Sequence, residues 1–281
     1  MTTHPFDAAM VLAPQPDGTA IGHSSAAYWN MIGPYGGITA AAALTAVMQH
    51  PQRLGEPVSL TVNYAGPMAE GAYRASARPA RTNRSTQHWI IELSQPDAAG
   101  QPQVVTTATA VTAARRPTWS ASDTPMPAAP APADVPRVHP PANLAAWLQR
   151  YEMRPIIGPV PERWEGQAHH GENGEHGSLS RLWLRDDPPR ALDFCALAAL
   201  ADVFFPRLWL RRATRVPVGT VSMTVYFHAD GRLLKDTGEG FLLAEAHAHA
   251  FRNGFFDQTG LLWNEAGMLL CSTHQVVYYK E

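Results

Sequence analysis

The sequence predicts an α+β protein with two similar halves, each having a buried helix followed by long antiparallel strands. Apolar, helix-favouring segments occur at 38–48 and 191–206, and several β-rich stretches follow each of them. In addition, VSLTVNY at 58–64 matches VSMTVYF at 221–227, with four identities in seven positions. We therefore expect an internal duplication whose halves pack as a pseudo-dimer with any site between them.

Composition excludes several classes of protein. The 281 residues carry a formal net charge of −2 and no lysine or arginine run, which argues against a nucleic-acid partner. The N-terminal segment does not resemble a signal peptide, and no run of about twenty apolar residues predicts a membrane span. Cys195 and Cys271 lack the spacing of a disulfide framework or a thiolate metal site. We expect a cytoplasmic protein without a membrane partner.

Proline marks the predicted boundary between the halves. It recurs every few positions in 117–141, which indicates an extended linker lying along the surface. The predicted units are an N-terminal domain at 1–116, the proline-rich linker at 117–141 and a C-terminal domain at 142–281.

In the first half, a glycine pair precedes the predicted helix Ile38–Met48. Gly36 and Gly37 therefore stand at the N-terminus of a buried helix, where free amides and the positive end of the dipole point outward. Residues rich in β-branched side chains predict the strands that follow, at 58–64, 72–80, 87–94 and 103–113.

The segment 191–206 is apolar on every side and long enough for about four helical turns, so it is predicted to lie in the middle of a domain. Asp202 stands near its end, and a buried carboxylate costs several kcal/mol unless it is paired, hydrogen-bonded or protonated. Either the helix end reaches solvent there, or Asp202 has a function. The predicted strands of this half lie at 151–158, 178–185, 218–228, 241–251, 254–264 and 268–279.

Four short motifs together resemble the acyl-CoA thioesterase II family. They are Tyr35-Gly-Gly37, Leu200-Ala-Asp202, the run Thr220–His228 (TVSMTVYFH) and Cys271-Ser-Thr-His-Gln275. The resemblance implies a double hotdog: two tandem repeats, each with a central helix wrapped by a curved antiparallel sheet. The chain departs from the family at Ile38, where glutamine is frequent, and at 222–223, where Asp-His is frequent. These departures bear on its acyl specificity.

The resemblance further implies hydrolysis of an acyl-CoA by direct water attack, without metal, cofactor or covalent intermediate. Coenzyme A would be the carrier part of the substrate. Asp202 would act as general base or orient the water, and Thr220 and Gln275 would hold the same water. The Gly37 N–H would stabilise the oxyanion.

Substrate binding is expected at the glycine pair and at exposed arginines. Tyr35 and Gly36 would lie beside the reacting group, because glycine allows close approach. Arg81 and Arg84 would meet the phosphates of coenzyme A. Since hotdog sheets pair edge to edge, the family also implies a homodimer or a larger homo-oligomer.

Two rival functions remain open from the sequence. A hotdog hydratase or dehydratase needs a histidine on or near the central helix, and 36–48 and 191–206 contain none. A non-catalytic acyl-CoA-binding protein would keep the pocket but be indifferent to Asp202→Asn.

Other chemistry-bearing residues are better explained structurally. Ser24 in GHSSA lacks the second glycine of a nucleophile elbow. His247 and His249 share a strand face and could chelate a metal, although such pairs are more often the polar face of a sheet. A polar loop holds further histidines without a recognised ligand spacing, at positions His169, His170 and His176.

Overall fold

The computed structural model describes residues 3–141, 143–161, 163–166 and 177–281. Its α-helices are α1 Pro5–Ala9, α2 Gly36–Met48, α3 Phe194–Leu200, α4 Arg207–Arg212 and α5 Gly231–Thr237. Its strands are β1 Ala13–Pro14, β2 Ala20–His23, β3 Glu56–Tyr64, β4 Ala72–Thr82, β5 Thr86–Pro96, β6 Pro102–Ala113, β7 Tyr151–Ile157, β8 Ser180–Asp186, β9 Val218–Phe227, β10 Leu242–His247, β11 Phe251–Arg252, β12 Phe255–Asn264 and β13 Leu269–Tyr279. Short 3₁₀ turns lie at Ala26–Tyr28, Pro132–Asp134 and Ala146–Arg150.

Strands from both halves hydrogen-bond into one antiparallel sheet. Within the described residues the order is β1-β2-β4-β5-β6-β3-β9-β13-β12-β10-β8-β7, and β11 pairs with β12. β3 and β9 therefore join the halves, and α2 and α3 pack against each other on the inner side. The predicted α+β class and the predicted pairing of two similar halves are confirmed.

The two copies of the repeated segment lie side by side at this junction. Thr61 of β3 is directly opposite Thr224 of β9, and their hydroxyl oxygens are 3.0 Å apart. These two threonines occupy equivalent positions in the two copies of the repeat. A pseudo-two-fold axis therefore passes between them.

Small side chains allow α2 and α3 to approach closely. Ala40, Ala41 and Ala43 are fully buried, as expected for a helix that is covered on nearly every side. A Cβ on Gly37 would lie 2.4 Å from the carbonyl oxygen of Ala199, so only glycine fits there. The glycine pair forms the first turn of α2, which begins at Gly36 and not at Ile38 as predicted.

The second central helix is shorter than predicted. α3 begins after Asp193, whose side chain caps it by accepting from the Ala196 N–H at 2.8 Å, and it ends at Leu200. Beyond Leu200 the chain forms a turn and an extended connection, and Pro206 is the N-cap residue at which α4 begins. The prediction of one four-turn helix over 191–206 is therefore wrong, and Asp202 lies in the connection beyond α3.

A β-bulge occurs at the same place in both copies of the repeat. In β9, Thr220 pairs with Val277 and Ser222 with Val276, which leaves Val221 as an extra residue. In β3 the same register shift falls around residue 58. Side chains of a regular strand alternate between faces, so the extra residue brings Thr220 onto the inner face with Met223.

The proline-rich segment lies along the outer face of the second half. Backbone carbonyls of this segment accept hydrogen bonds from Trp183 Nε1 at Pro130 (2.8 Å) and from Trp263 Nε1 at Thr124 (3.2 Å). The boundaries at 116 and 141 remain predictions. None of the described helices combines the length and hydropathy needed to cross a membrane.

Replacing Gly37 with alanine should destabilise the fold by about 1–3 kcal/mol, because the added methyl overpacks the helix contact. Urea unfolding measures this change. Gly66→Ala is the matched control, since a Cβ there meets nothing within 4 Å. Equal unfolding free energies for the two variants would contradict the proposed close contact.

Candidate active site

Asp202 lies where the end of α3 meets the beginning of α2. A Cβ on Gly36 would lie 2.7 Å from Asp202 Oδ2, so the missing side chain makes room for the carboxylate. The Gly37 N–H donates a hydrogen bond to this carboxylate. The N-terminus of α2 adds the positive end of its dipole, which favours an anion at this position. The structure thus brings together residues from both halves.

Gln275 connects the carboxylate to Thr220. Its side chain is 3% exposed, and its Nε2 donates to Asp202 Oδ1 at 2.7 Å and to Met223 Sδ at 3.4 Å. Its Oε1 accepts from Thr220 Oγ1 at 3.5 Å, the long end of the hydrogen-bond range. A continuous chain therefore runs from Thr220 through Gln275 to Asp202, and both ends of the amide have defined partners.

Burial raises the pKa of Asp202 from 3.8 to about 7, although hydrogen bonds from Gln275 and Gly37 act in the opposite direction. Removal from water disfavours the charged form, whereas both donors stabilise it. The carboxyl therefore exchanges protons near neutral pH. A group that accepts and releases a proton in this range is suited to general acid–base chemistry.

Two tyrosines hold the segment around the glycine pair. Tyr64 Oη donates to the Gly36 carbonyl at 2.9 Å, and Tyr35 Oη donates to the Ala199 carbonyl at 2.7 Å. The Tyr35 ring stacks on Trp147 with centroids 4.4 Å apart. Burial and the Asp202 charge raise the pKa of both tyrosines, which keeps them neutral donors. Sequence reasoning missed Tyr64, although it ends the repeated segment; no sequence signal marks Trp147.

A buried arginine fixes the connection that follows Asp202. Arg207 is fully buried, and its guanidinium donates to the Phe205 carbonyl at 3.0 Å, to Ser180 Oγ at 2.6 Å and to the Ser178 carbonyl at 3.0 Å. These bonds tie the turn between α3 and α4 to β8. Sequence reasoning also missed this residue, because its position in a short polar–apolar helix resembles that of a surface arginine.

The duplication has produced one such cluster, not two. The AALTAV segment at 42–47 matches AALADV at 198–203. The pairing of β9 with β13 corresponds to the pairing of β3 with β6, so the strand residues of the two halves can be aligned as well. At the positions equivalent to the aspartate, threonine and glutamine, the first half carries Ala46, Pro57 and Ala110. None of these side chains can accept or donate a proton, so the first half does not repeat this cluster at the equivalent described positions.

The structure does not bring Arg81 and Arg84 to this cluster. Both are exposed on the β4–β5 hairpin, which Gln87 ties to the segment after α2 through the Gln52 carbonyl and the Leu54 N–H. The 13 residues of α2 separate that end from the glycine pair by about 20 Å. Contact of these arginines with coenzyme A phosphates remains a prediction.

The serine and histidine candidates from the sequence have structural partners or lie outside the described residues. Ser24 Oγ accepts from the Gly71 N–H at 2.8 Å, and the rings of His247 and His249 are 4.9 Å apart. Across the described ranges, no group of three or more His, Cys, Asp or Glu side chains is arranged to hold a metal ion. His169, His170 and His176 lie outside the described residues.

Two central helices packed against one antiparallel sheet, one helix from each half, are the architecture of a hotdog-type protein. The family described as the acyl-CoA thioesterase N-terminal domain matches residues 25–113, and the corresponding C-terminal domain matches 123–279. The chain belongs to the acyl-CoA thioesterase family and is a thioester hydrolase. The second match includes most of the proline-rich segment.

Solved structures share the fold. A conserved hot dog fold protein of unknown function from Alicyclobacillus acidocaldarius is 45% identical, with a TM-score of 0.90 over 100% of this chain and 99% of that chain. The acyl-CoA thioesterase II TesB2 of Mycobacterium marinum has a TM-score of 0.74 and 17% identity over 98% of both chains. No curated protein matches the sequence. The predicted double hotdog and the predicted family are confirmed.

The raised pKa of Asp202 predicts that the free energy of unfolding falls as pH rises towards 7. The unfolded chain releases this proton near 3.8 and the folded chain near 7, so the folded state holds the extra proton in between. Each pH unit in that interval lowers stability by up to about 1.4 kcal/mol. Urea titrations at pH 5 and pH 8 should show that the free energy of unfolding falls less between these pH values for Asp202→Asn than for wild type.

Asp186 contributes with the same sign, since burial also raises its pKa to about 7. The Asp202→Asn variant should therefore reduce the pH dependence without abolishing it. The exposed Asp123→Asn variant serves as the control and should follow wild type. If the pH dependence of Asp202→Asn also followed wild type, the carboxyl would not titrate as described.

Proposed function

We propose that the chain hydrolyses acyl-CoA to free acid and coenzyme A by direct attack of a water activated by Asp202. The observation that carries the proposal is the hydrogen-bonded chain of Thr220, Gln275 and Asp202 at the N-terminus of α2. It unites a group that titrates near neutral pH with two neutral side chains that can hold water. The proposed reaction uses no metal or cofactor besides the coenzyme A of the substrate.

Asp202 takes a proton from the water while the water oxygen attacks the thioester carbonyl carbon. Gln275 and Thr220 fix the line of attack, because their amide and hydroxyl hold the same water. The tetrahedral intermediate then collapses, the carbon–sulfur bond breaks, and the departing thiolate takes the proton from Asp202. The products are the acid and free thiol, and the carboxylate is restored.

The Gly37 N–H serves two acceptors in succession. In the resting site it donates to the Asp202 carboxylate. When Asp202 takes the proton it loses its charge, just as negative charge develops on the carbonyl oxygen of the substrate. Hydrogen bonds to an anion are stronger than those to a neutral acceptor. The Gly37 N–H therefore donates its hydrogen bond to the oxyanion and no longer to Asp202. Tyr35 and Gly36 form the adjoining wall of the site.

Free-thiol release from a panel of acyl-CoAs, from acetyl to palmitoyl plus benzoyl and phenylacetyl, tests the proposal. Asp202→Asn should lower kcat by about a hundredfold or more, because the amide cannot accept the proton. Asp186→Asn is the matched control, since Asp186 is also buried with a pKa raised to about 7. Equal rates for wild type and Asp202→Asn would remove Asp202 as the base.

The pH profile of kcat/KM should rise about tenfold per pH unit below about 7 and become level above it. The reason is that only the deprotonated carboxylate accepts the proton, and its fraction increases with pH up to the pKa. Initial rates between pH 5 and pH 9 check this. A wild-type profile that is flat between pH 5 and pH 8 would contradict the assignment.

Assembly and location follow from the resemblance alone. We propose a homodimer or a larger homo-oligomer in the cytoplasm, because hotdog sheets commonly associate. The catalytic cluster is built from one chain, so the proposed chemistry does not depend on the assembly.

A further inference from the structure

The outer face of the sheet differs between the two halves. In β4 of the first half, the side chains that alternate with the buried ones are Arg74, Ser76 and Arg78, which are exposed or half-buried. In β8 and β10 of the second half, the corresponding outer side chains include Trp183 and Leu243, which are 3% and 0% exposed. An antiparallel sheet commonly presents a polar outer face to solvent, as the first half does. The outer face of the second half is instead apolar and covered.

The cover is part of the proline-rich segment, residues 124–135, which we call the strap. Met126 and Val135 of the strap pack against Trp183 and Leu243 of the sheet. This apolar cluster is separate from the core that surrounds the central helices, because it lies on the opposite face of the sheet. The strap is therefore remote from the cluster of groups at the N-terminus of α2.

Two tryptophans of the sheet donate hydrogen bonds to the backbone of the strap. Trp183 Nε1 donates to the Pro130 carbonyl at 2.8 Å, and Trp263 Nε1 donates to the Thr124 carbonyl at 3.2 Å. A buried indole N–H needs an acceptor, and in both cases the acceptor is a backbone carbonyl. Neither bond depends on the side chain that the strap residue carries.

Two arginines act in the same way. Arg181 donates to the Ala128 carbonyl at 3.3 Å, whereas Arg154 donates to the carbonyls of Pro132 and Val135 at 2.8 and 3.0 Å. Together with the indole bonds, five carbonyls of the strap receive a side-chain donor from the sheet. The contact thus recognises an extended backbone whose carbonyls are free.

Proline prepares the strap for this contact. Pro125, Pro127, Pro130 and Pro132 each fix φ at about −65° and disfavour helical backbone at the preceding residue. Ala131, between two of them, has φ −59° and ψ 148°, close to the values of a polyproline II helix. Such a segment loses little conformational entropy when it docks in an aromatic groove. Proline also has no N–H that the apolar face would leave unpaired.

We propose that the outer face of the second half is a binding groove for an extended, proline-rich peptide, and that the strap is its resident ligand, tethered in the same chain. Because the strap is joined to both halves, it occupies the groove at an effective concentration on the order of 1 mM. A free peptide of the same chemistry therefore enters only when the strap is weakened or displaced. This groove is independent of the proposed hydrolysis.

Replacing Pro125, Pro127, Pro130 and Pro132 with glycine tests the groove in the full chain. Glycine keeps the carbonyls but removes the preset backbone, so the tethered strap should bind at least about tenfold more weakly. By fluorescence anisotropy, a labelled peptide of residues 123–136 should then bind this variant at least about tenfold tighter than wild type.

The control is the same peptide with alanine in place of every proline, which should bind the glycine variant at least about tenfold more weakly than the proline peptide. Circular dichroism checks that the variant keeps its fold. Equal binding of the proline peptide to the folded variant and to wild type would overturn the proposal, and so would equal binding of the two peptides to the variant.

A second measurement keeps the strap prolines and remains decisive if the glycine variant does not fold. Val135 is 6% exposed, so a cysteine in its place is shielded while the strap is docked. Adding Trp183→Phe to Val135→Cys removes one donor and should raise the rate of thiol labelling about fivefold. Trp119→Phe is the matched control, because Trp119 is 87% exposed and lies outside the strap. Wild type, which carries Cys195 and Cys271, gives the background rate.

Excess peptide of residues 123–136 should raise the labelling rate of the Val135→Cys, Trp183→Phe protein further, because the peptide captures the groove whenever the strap leaves it. The alanine peptide should leave the rate unchanged. Equal labelling rates with Trp183→Phe and Trp119→Phe, or no effect of the proline peptide, would refute the groove.

Discussion

The rest of this structure depends on one close contact between the two buried helices. At Gly37, α2 comes so near to the Ala199 carbonyl that no side chain fits. This approach places the first turn of α2 against the carboxylate of Asp202, which receives a backbone hydrogen bond from the other half of the chain. A larger residue at this position would push the helices apart. It would thereby also move the Gly37 N–H away from the Asp202 carboxylate. Packing and proposed chemistry therefore have the same origin.

Duplication explains how the site came to lie between the halves. The two copies pair about Thr61 and Thr224, and each copy keeps a β-bulge at the start of its first long strand. The bulge turns one side chain inward in both halves: Pro57 in the first and Thr220 in the second. The second copy supplies the titratable carboxyl of the cluster, whereas the first supplies the helix terminus that faces it. The halves have become complementary.

Much of the fold was predictable because its signals are local. β-branched stretches marked the long strands, and the repeated segment indicated a pseudo-dimer. The length of the second helix was not predictable from hydropathy, since 191–206 stays apolar although the helix ends at Leu200. Likewise, Arg207 is charged in sequence but fully buried, because backbone carbonyls surround its guanidinium. Hydropathy cannot distinguish a covered turn from a covered helix.

The sequence by itself determined the two-fold pattern of helix and strands, and its resemblance to a thioesterase family indicated Asp202, Thr220 and Gln275 as candidates. Only the tertiary structure decided that these three form one hydrogen-bonded chain and that exposed Arg81 lies at the far end of α2. The reason is that residue type and spacing encode local conformation and burial. Distances between strands and helices far apart in sequence, and the desolvation that raises the pKa of a carboxyl, arise only when the halves pack together.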